Sequence, residues 1–184
     1  MFSKIAPLSL LLASSTLLHQ STAFPTFTSS TVAYLTNCQT SDTFADYSEV
    51  SIYSDVAQSF AGQGPDTYAD TPLGAWATWE GQTLKWSYNG RDTAEPDAFD
   101  IFINANAQDP AVPTFSQVGC GGYTEGFNNG VAILVRWNCY KDQSRVLYTT
   151  QDHECSTIYY CRITEDACPV PPPTGECFGL SCPN

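Results

Sequence analysis

Eight cysteines constrain the fold of this 184-residue chain more than any other feature of its sequence. An even number of cysteines in a small exported chain is typical of a disulfide framework, and we expect four bridges and no metal or cofactor. No CxxC pair is present, and His153 is the only histidine beyond the first 23 residues, so the pattern does not favour a zinc site. The cysteines are Cys38, Cys120, Cys139, Cys155, Cys161, Cys168, Cys177 and Cys182.

The N-terminal segment has the pattern of a secretory signal peptide. Lys4 supplies a positive charge, residues 7–18 form a short apolar stretch, and Ser21-Thr22-Ala23 supplies small residues before a cleavage site. We therefore expect a signal peptide over residues 1–23 and a secreted, extracellular product. One domain should follow over residues 24–167, and a Pro- and Cys-rich tail pinned by its cysteines over residues 168–184.

Apolar and polar residues alternate with period two along most of the domain, which is typical of strands with one buried face. No window beyond the signal peptide shows helical periodicity. The sequence predicts an all-β, single-domain, disulfide-stapled β-sandwich, with a small β-barrel as the alternative. The predicted strands cover residues 32–38, 48–53, 75–79, 83–88, 99–103, 131–139, 145–150 and 156–162.

Turn residues and strand spacing restrict how these strands connect. Glu80-Gly81 predicts a tight hairpin, because glycine tolerates positive φ. The last three predicted strands should form a meander. Cys155 and Cys161 would lie about 20 Å apart in one strand and cannot bond to each other. Their natural partners are Cys38 and Cys139, and the sequence does not indicate which of these two bonds to Cys155 and which to Cys161.

The sequence favours no catalytic residue. A Ser-His-Asp or Cys-His site would have to use His153, which lies in a polar turn, and no GxSxG motif is present. A small glycoside hydrolase stays open as an alternative, because it needs two carboxylates near aromatic residues. Glu80, directly after Trp79, is the candidate for one of them, and Glu49 for the other.

Two metal sites deserve consideration and are disfavoured. A copper site would need His19 as the first residue of the mature chain, with His153 as a second ligand, and the small residues at 21–23 favour a later cleavage. Acidic residues also cluster before the fifth predicted strand, where a calcium ion would find oxygen ligands. A solvated acidic turn explains this cluster better, and its members are Asp92, Glu95, Asp97 and Asp100.

Charge and aromatic content favour binding of a neutral or proteinaceous partner. The formal net charge of −12 repels phosphate backbones and anionic lipids, so we expect no nucleic-acid and no membrane binding. Period-two alternation places Trp86 and Trp137 inside the domain. The alternation places Phe102, Tyr53 and either Trp76 or Trp79 outward. The predicted contact surface is therefore drawn from Trp76, Trp79, Phe102 and Tyr53.

Four strings in the chain resemble the small secreted cysteine-rich proteins of filamentous ascomycete fungi, which include many candidate effectors. These strings span residues 34–38, 79–81, 138–142 and 156–161, so the resemblance covers roughly residues 32–162. It implies a monomeric, non-catalytic effector-like protein that binds a host protein or a wall glycan, with a role in virulence. A carbohydrate-binding module is the alternative that the aromatic residues suggest, and a glycoside hydrolase using Glu80 is the second.

Overall fold

The computed structural model describes residues 30–86, 99–128 and 131–164, and these residues are nearly all in strands or turns. The all-β prediction is thereby confirmed. The predicted signal peptide over 1–23 and the predicted tail over 168–184 lie outside the described residues. So does the cluster of Asp92, Glu95 and Asp97.

Nine strands and one helical turn make up the described part of the domain. Asp55 caps the helical turn, since its carboxylate accepts a hydrogen bond from the backbone N–H of Ala57 at 2.9 Å. The elements are β1 (Val32–Thr40), β2 (Asp46–Tyr53), α1 (Val56–Phe60), β3 (Thr67–Asp70), β4 (Thr83–Trp86), β5 (Phe99–Ile103), β6 (Gln117–Asn128), β7 (Val131–Lys141), β8 (Val146–Thr149) and β9 (His153–Thr164).

All nine strands belong to one antiparallel sheet. Eight of them follow the order β3-β2-β1-β9-β7-β6-β5-β4, and β8 pairs with β9 alone. The sheet curls until it is nearly closed. Strands β3 and β4 lie at its two ends, and yet Ala69 of β3 and Trp86 of β4 belong to the same buried cluster. A single curled sheet corresponds to the small-barrel alternative and not to two stacked sheets.

The inside of the curled sheet is the main core of the domain. Its largest fully buried side chains include Leu35, Ile52, Ile103 and Trp137. Burying such a side chain stabilises the fold by roughly 1.5–3 kcal/mol. Trp86 is also buried here, so the prediction that Trp86 and Trp137 face inward is confirmed.

Strands β1, β2 and β9 are buried on their outer face as well. A second apolar cluster lies there and contains Tyr34, Tyr53, Leu147 and Tyr148, with Val56 packed against it. Helix α1 and strand β8 therefore supply part of the cover over the outside of these strands. The alternating pattern of β1 and β2 predicts one buried face, whereas the structure buries two.

Two disulfides join β9 to its neighbours on either side. Cys38 bonds to Cys155 and Cys139 bonds to Cys161, each pair lying directly opposite across two strands with a Cα–Cα distance of 4.0 Å. The prediction that these four cysteines link the first strand to the last ones is confirmed. Cys120 is also disulfide-bonded, and the remaining cysteines, Cys168, Cys177 and Cys182, lie outside the described residues.

A β-bulge in β9 places the two disulfides on opposite faces of the sheet. Leu35 lies opposite Tyr159 and Thr36 lies opposite Thr157, so Ile158 is an extra residue in β9. The bulge reverses which residues of β9 face inward. Consequently the Cys38–Cys155 disulfide belongs to the outer cluster and the Cys139–Cys161 disulfide to the core.

Two connections differ from the prediction. Residues 75–79 form no strand, and Ala75 makes only an isolated bridge with Tyr47, because the loop before it turns through Gly74 at a φ of +83°. The predicted meander is also wrong. Strands β7 and β8 pair with the same edge of β9, one after the other, so β8 does not lie between them.

Strand β6 was missed because glycines interrupt its apolar pattern. A Cβ atom at Gly119 would lie 2.2 Å from the carbonyl oxygen of Phe102, and one at Gly121 would lie 2.1 Å from that of Asp100. These glycines allow β5 and β6 to approach closely. The short strand β3 was missed as well, since it offers only four residues of pattern.

Candidate functional site

The four aromatic residues of the predicted contact surface do not form one exposed face. Trp76 is 60% exposed, whereas Trp79, Phe102 and Tyr53 are buried, with exposed fractions of 3%, 6% and 0%. The expectation that Tyr53 and Phe102 are exposed is wrong, whereas one of the two tryptophans, Trp76, is exposed as expected. Tyr53 and Phe102 point away from the core, but an outward side chain of a curled sheet does not necessarily reach solvent, whereas Trp79 packs inside the core.

Each buried member has its own neighbours. Tyr53 lies in the outer cluster and donates a hydrogen bond to the carbonyl oxygen of Gln63 at 2.8 Å. Trp79 stacks on Trp86 with ring centroids 5.4 Å apart, and its indole N–H donates to Oδ1 of Asn37 at 3.3 Å. Phe102 points away from the core, and Cys120 lies beside it on β6.

The carboxylate of Glu80 is held by a buried tyrosine. The hydroxyl of Tyr159 donates to Oε1 of Glu80 at 2.5 Å and accepts a hydrogen bond from Nε2 of Gln108 at 2.8 Å. Burial raises the pKa of Tyr159, and the bond to Glu80 raises it further. Gly81 has the expected positive φ, at +78°. Glu80 is therefore a partly buried hydrogen-bond acceptor at the core side of the sheet and not an exposed hairpin tip.

Glu49 lies on the other side of the sheet from Glu80. It is 1% exposed in β2, and the hydroxyl of Tyr148 lies 2.8 Å and 3.0 Å from its two carboxylate oxygens. The hydroxyl of Ser51 donates to Oε1 as well. Because Tyr148 belongs to the outer cluster and Tyr159 to the core, the two glutamates do not share a cleft, as a glycosidase pair would require.

The environment of Glu49 favours its protonated form. Burial raises the pKa of its carboxyl above the usual value, and the charge of Asp70 raises it further. The hydrogen bonds from Ser51 and Tyr148 act in the opposite direction and do not reverse the shift. Burial likewise raises the pKa of Tyr148, with Glu49 contributing.

A chain of hydrogen bonds runs from Glu49 toward the surface. Nε2 of His153 lies 3.3 Å from the hydroxyl of Tyr148, and its Nδ1 lies 3.2 Å from Oγ1 of Thr150. Since the Tyr148 hydroxyl donates to Glu49, it accepts from His153. The predicted solvated histidine is thus half-buried and hydrogen-bonded on both ring nitrogens.

Glu49 also lies beside the Cys38–Cys155 disulfide. One carboxylate oxygen and the two sulfur atoms lie within 4.8 Å of one another. Metal ions bind cysteine as the thiolate, and a sulfur in a disulfide has no thiolate to offer. This cluster therefore does not have the chemistry of a metal centre while the bond is intact.

Three tyrosines form a row across the outer face of three adjacent strands. Tyr34 in β1 lies opposite Tyr160 in β9, and Tyr160 lies opposite Tyr140 in β7. The rings of Tyr140 and Tyr160 are stacked with centroids 5.2 Å apart, and the ring of Tyr34 lies 6.4 Å from that of Tyr160. The row is fixed by the strand register and not by loop conformation.

Two phenylalanines and two arginines extend this row. Phe115 lies 6.5 Å from the ring of Tyr160, and the guanidinium of Arg162 lies 5.8 Å above the same ring. The guanidinium of Arg145 lies 5.2 Å from the ring of Tyr34 and 5.1 Å from that of Phe60. We call the seven residues Phe60, Arg145, Tyr34, Tyr160, Tyr140, Phe115 and Arg162 the aromatic stripe.

Much of the aromatic stripe reaches solvent. Phe60 is 70% exposed and Phe115 is 57% exposed, while Tyr140 and Tyr160 are half-buried. Tyr34 is buried and connects the two ends. Flat aromatic rings, held rigidly and partly exposed beside guanidinium groups, offer stacking surfaces and directional hydrogen-bond donors to a ligand.

Sequence reasoning missed the aromatic stripe, although one signal for it was present. Cys139 and Cys161 were expected to be buried in disulfides. Their neighbours Tyr140 and Tyr160 must then point to the opposite face of the sheet, because side chains alternate along a strand. That argument predicts two outward tyrosines on neighbouring strands once the cysteines are paired.

Comparisons with protein-family models, with curated proteins and with solved structures find no match to this chain. Any assignment of function thus rests on the residues of the chain itself. Within the part that the structure describes, no helix is long and apolar enough to cross a membrane. The two described disulfides are consistent with a secreted protein.

Proposed function

We propose that this chain is a secreted, non-catalytic binding protein whose contact surface is the aromatic stripe. The observation that carries the proposal is the tyrosine row, in which Tyr34, Tyr160 and Tyr140 lie side by side on three paired strands. Preorganised rings lose little conformational entropy when a ligand stacks on them.

The biological setting that we propose is that of a fungal effector-like protein acting outside the cell on a host protein or a wall component. The N-terminal pattern of a signal peptide and the disulfides support export. The likeness of the cysteine and strand motifs to small secreted fungal proteins supports the effector-like role. The Cys139–Cys161 disulfide adjoins the site, since Cys139 directly precedes Tyr140 and Cys161 directly follows Tyr160 in the sequence.

The arrangement of the acidic residues also supports binding over hydrolysis. Glu80 accepts its hydrogen bond from Tyr159 at the core side, and Glu49 is enclosed on the other face. Neither carboxylate belongs to the aromatic stripe. A ligand lying on the stripe would therefore not meet the pair of acids that the hydrolase alternative requires.

Alanine substitutions on the stripe test the proposal. Phe115→Ala and Tyr140→Ala should each weaken binding to wall fractions or host extracellular proteins by about tenfold or more, since stacking rings dominate such contacts. Phe44→Ala is the matched control, because Phe44 is 70% exposed but lies outside the stripe. Binding that responds equally to all three substitutions, or to none of them, would overturn the proposal.

A further inference from the structure

The two arginines of the aromatic stripe stand out because the chain is strongly acidic. The protein has 19 acidic and 7 basic residues. Despite this excess, neither Arg145 nor Arg162 has a carboxylate of the described residues within ion-pair distance. Because the guanidinium fork matches the geometry of a carboxylate or phosphate, two guanidiniums without a carboxylate partner among the described residues, beside exposed rings, point to an anionic group supplied from outside.

The two arginines differ in how much of their hydrogen-bonding capacity is used. The guanidinium of Arg145 donates to the carbonyl oxygen of Ser59, to its Oγ and to the hydroxyl of Tyr34, at 3.0–3.3 Å. Arg162 is exposed and contacts the ring of Tyr160. A guanidinium has five N–H donors in a planar fork, and within the part of the chain that the structure describes, that of Arg162 is open to a bidentate partner.

One described acid close to Tyr160 is turned away from solvent. Asp142 is the carboxylate whose charge acts on Tyr160, and it is 7% exposed. Its Oδ1 accepts a hydrogen bond from the backbone N–H of Gln143 at 2.8 Å. Asp142 therefore does not occupy the fork of Arg162.

We infer that the aromatic stripe binds a carboxylated oligosaccharide, with a uronate carboxylate on Arg162 and a sugar ring stacked on Tyr140, Tyr160 or Phe115. This inference rests on the proposed function and specifies its ligand. Pyranose rings present apolar faces that stack on aromatic rings, and a carboxylate matches the arginine fork. Arg145 offers a second positive charge at the other end of the row, across Tyr34.

The overall charge of −12 restricts the length of such a ligand. A long polyanion is repelled by the rest of the protein surface, whereas a short one is attracted by the local guanidiniums. We therefore expect oligomers of a few uronate units to bind better, per unit, than the full polymer. Added salt should narrow this difference, because it screens the long-range repulsion.

Calorimetry with a short oligogalacturonide as the probe tests the inference. A neutral gluco-oligosaccharide of the same length, and the methyl-esterified oligogalacturonide, should bind about tenfold more weakly, because each lacks the carboxylate. Arg162→Gln should lower the affinity for the acidic probe by a similar factor. Lys85→Gln is the matched control, since it removes the same charge from an exposed residue of β4 and should leave the affinity unchanged.

The possible outcomes separate this inference from the proposed function. Equal binding of acidic and neutral probes, both sensitive to Phe115→Ala, would overturn the uronate assignment and leave a binding site for neutral glycans. An equal loss in Arg162→Gln and Lys85→Gln would also overturn it, because the effect would then be general charge. Loss of binding to a host protein in the stripe variants, without any sugar binding, would replace the sugar by a protein partner. Phe115→Ala without effect on any ligand would remove the stripe as a contact surface altogether.

Discussion

Glu49 allows a pH-dependent stability to be predicted with its sign. Its carboxyl is 1% exposed, and burial raises its pKa above the usual value of 4.5. Between the pKa of the unfolded chain and that of the folded protein, the folded state holds one more proton. The stabilisation from this proton is fully present below the unfolded pKa and is lost as the pH rises through the folded pKa.

The magnitude follows from the single proton involved. The free energy of unfolding should fall with rising pH by up to about 1.4 kcal/mol per pH unit over that window. Glu49→Gln imitates the protonated side chain and keeps a partner for the hydroxyls of Ser51 and Tyr148. This variant should therefore lack the Glu49 part of the slope. Glu49→Ala instead leaves two buried hydroxyls without their acceptor, at a cost of about 1–3 kcal/mol for each one left unsatisfied.

Urea unfolding at a series of pH values between 4 and 8, followed by tryptophan fluorescence with the disulfides intact, measures the slope. The groups that face Glu49 have to be considered as well. Tyr47 and Tyr53 flank it on β2, Tyr148 lies on β8, His153 on β9 and Asp70 on β3.

The tyrosines stay protonated throughout this pH range, since burial raises the pKa of Tyr47, Tyr53 and Tyr148 above 10. His153 is present in both proteins, so the difference between their curves isolates the substitution at Glu49. Glu154→Gln, an exposed acid on β9, is the control. Parallel curves for the wild type and Glu49→Gln would refute the reasoning.

Three further predictions follow from the contacts described above. Replacing Cys139 and Cys161 together by alanine should lower the free energy of unfolding by about 2–5 kcal/mol in urea titrations, and an unchanged midpoint would contradict a stabilising disulfide. Glu80→Gln should leave any release of reducing sugar by the purified protein unchanged, because Tyr159 holds Glu80 as a structural acceptor; a loss of release would instead support the hydrolase alternative. Deleting Ile158 should remove the bulge and prevent both disulfides from forming together, which mapping of disulfide-linked peptides would detect as mixed pairing or free thiols.

The sequence predicted those features that depend on local alternation. Period-two patterns located β1, β2, β5, β7 and β9 and indicated which tryptophans face the core. The length of a strand was enough to separate Cys155 from Cys161 and to suggest Cys38 and Cys139 as their partners. These inferences need only the geometry of one strand and of a disulfide.

The features that the sequence did not predict depend on contacts between distant segments. Tyr53 and Phe102 point away from the core as expected, but other parts of the chain cover the outer face. The alternation of apolar and polar side chains does not reveal β6, because Gly119 and Gly121 have no side chains. These glycines instead let the backbones of β5 and β6 approach each other. The bulge at Ile158, which changes which residues of β9 face the core, is visible only when β9 is paired with β1.

The tyrosine row has the same origin. Nothing in the local sequence places Tyr34 beside Tyr160, which lies 126 positions later in the chain. Their proximity comes from the pairing of the first strand with the last. The candidate site is therefore a product of sheet order, and a search for conserved local motifs of catalysis would not reveal it.

The pairing of β1 with β9 also determines when this protein can finish folding. Strand β1 can pair with β9 only after β9 has been synthesised, and the Cys38–Cys155 disulfide spans 117 positions. Contacts so distant along the chain form slowly, and a nascent chain that does not yet include β9 has no central strand on which the sheet can close. Such a polypeptide stays open until β9 has been made, and only then can the Cys38–Cys155 disulfide hold β1 against it.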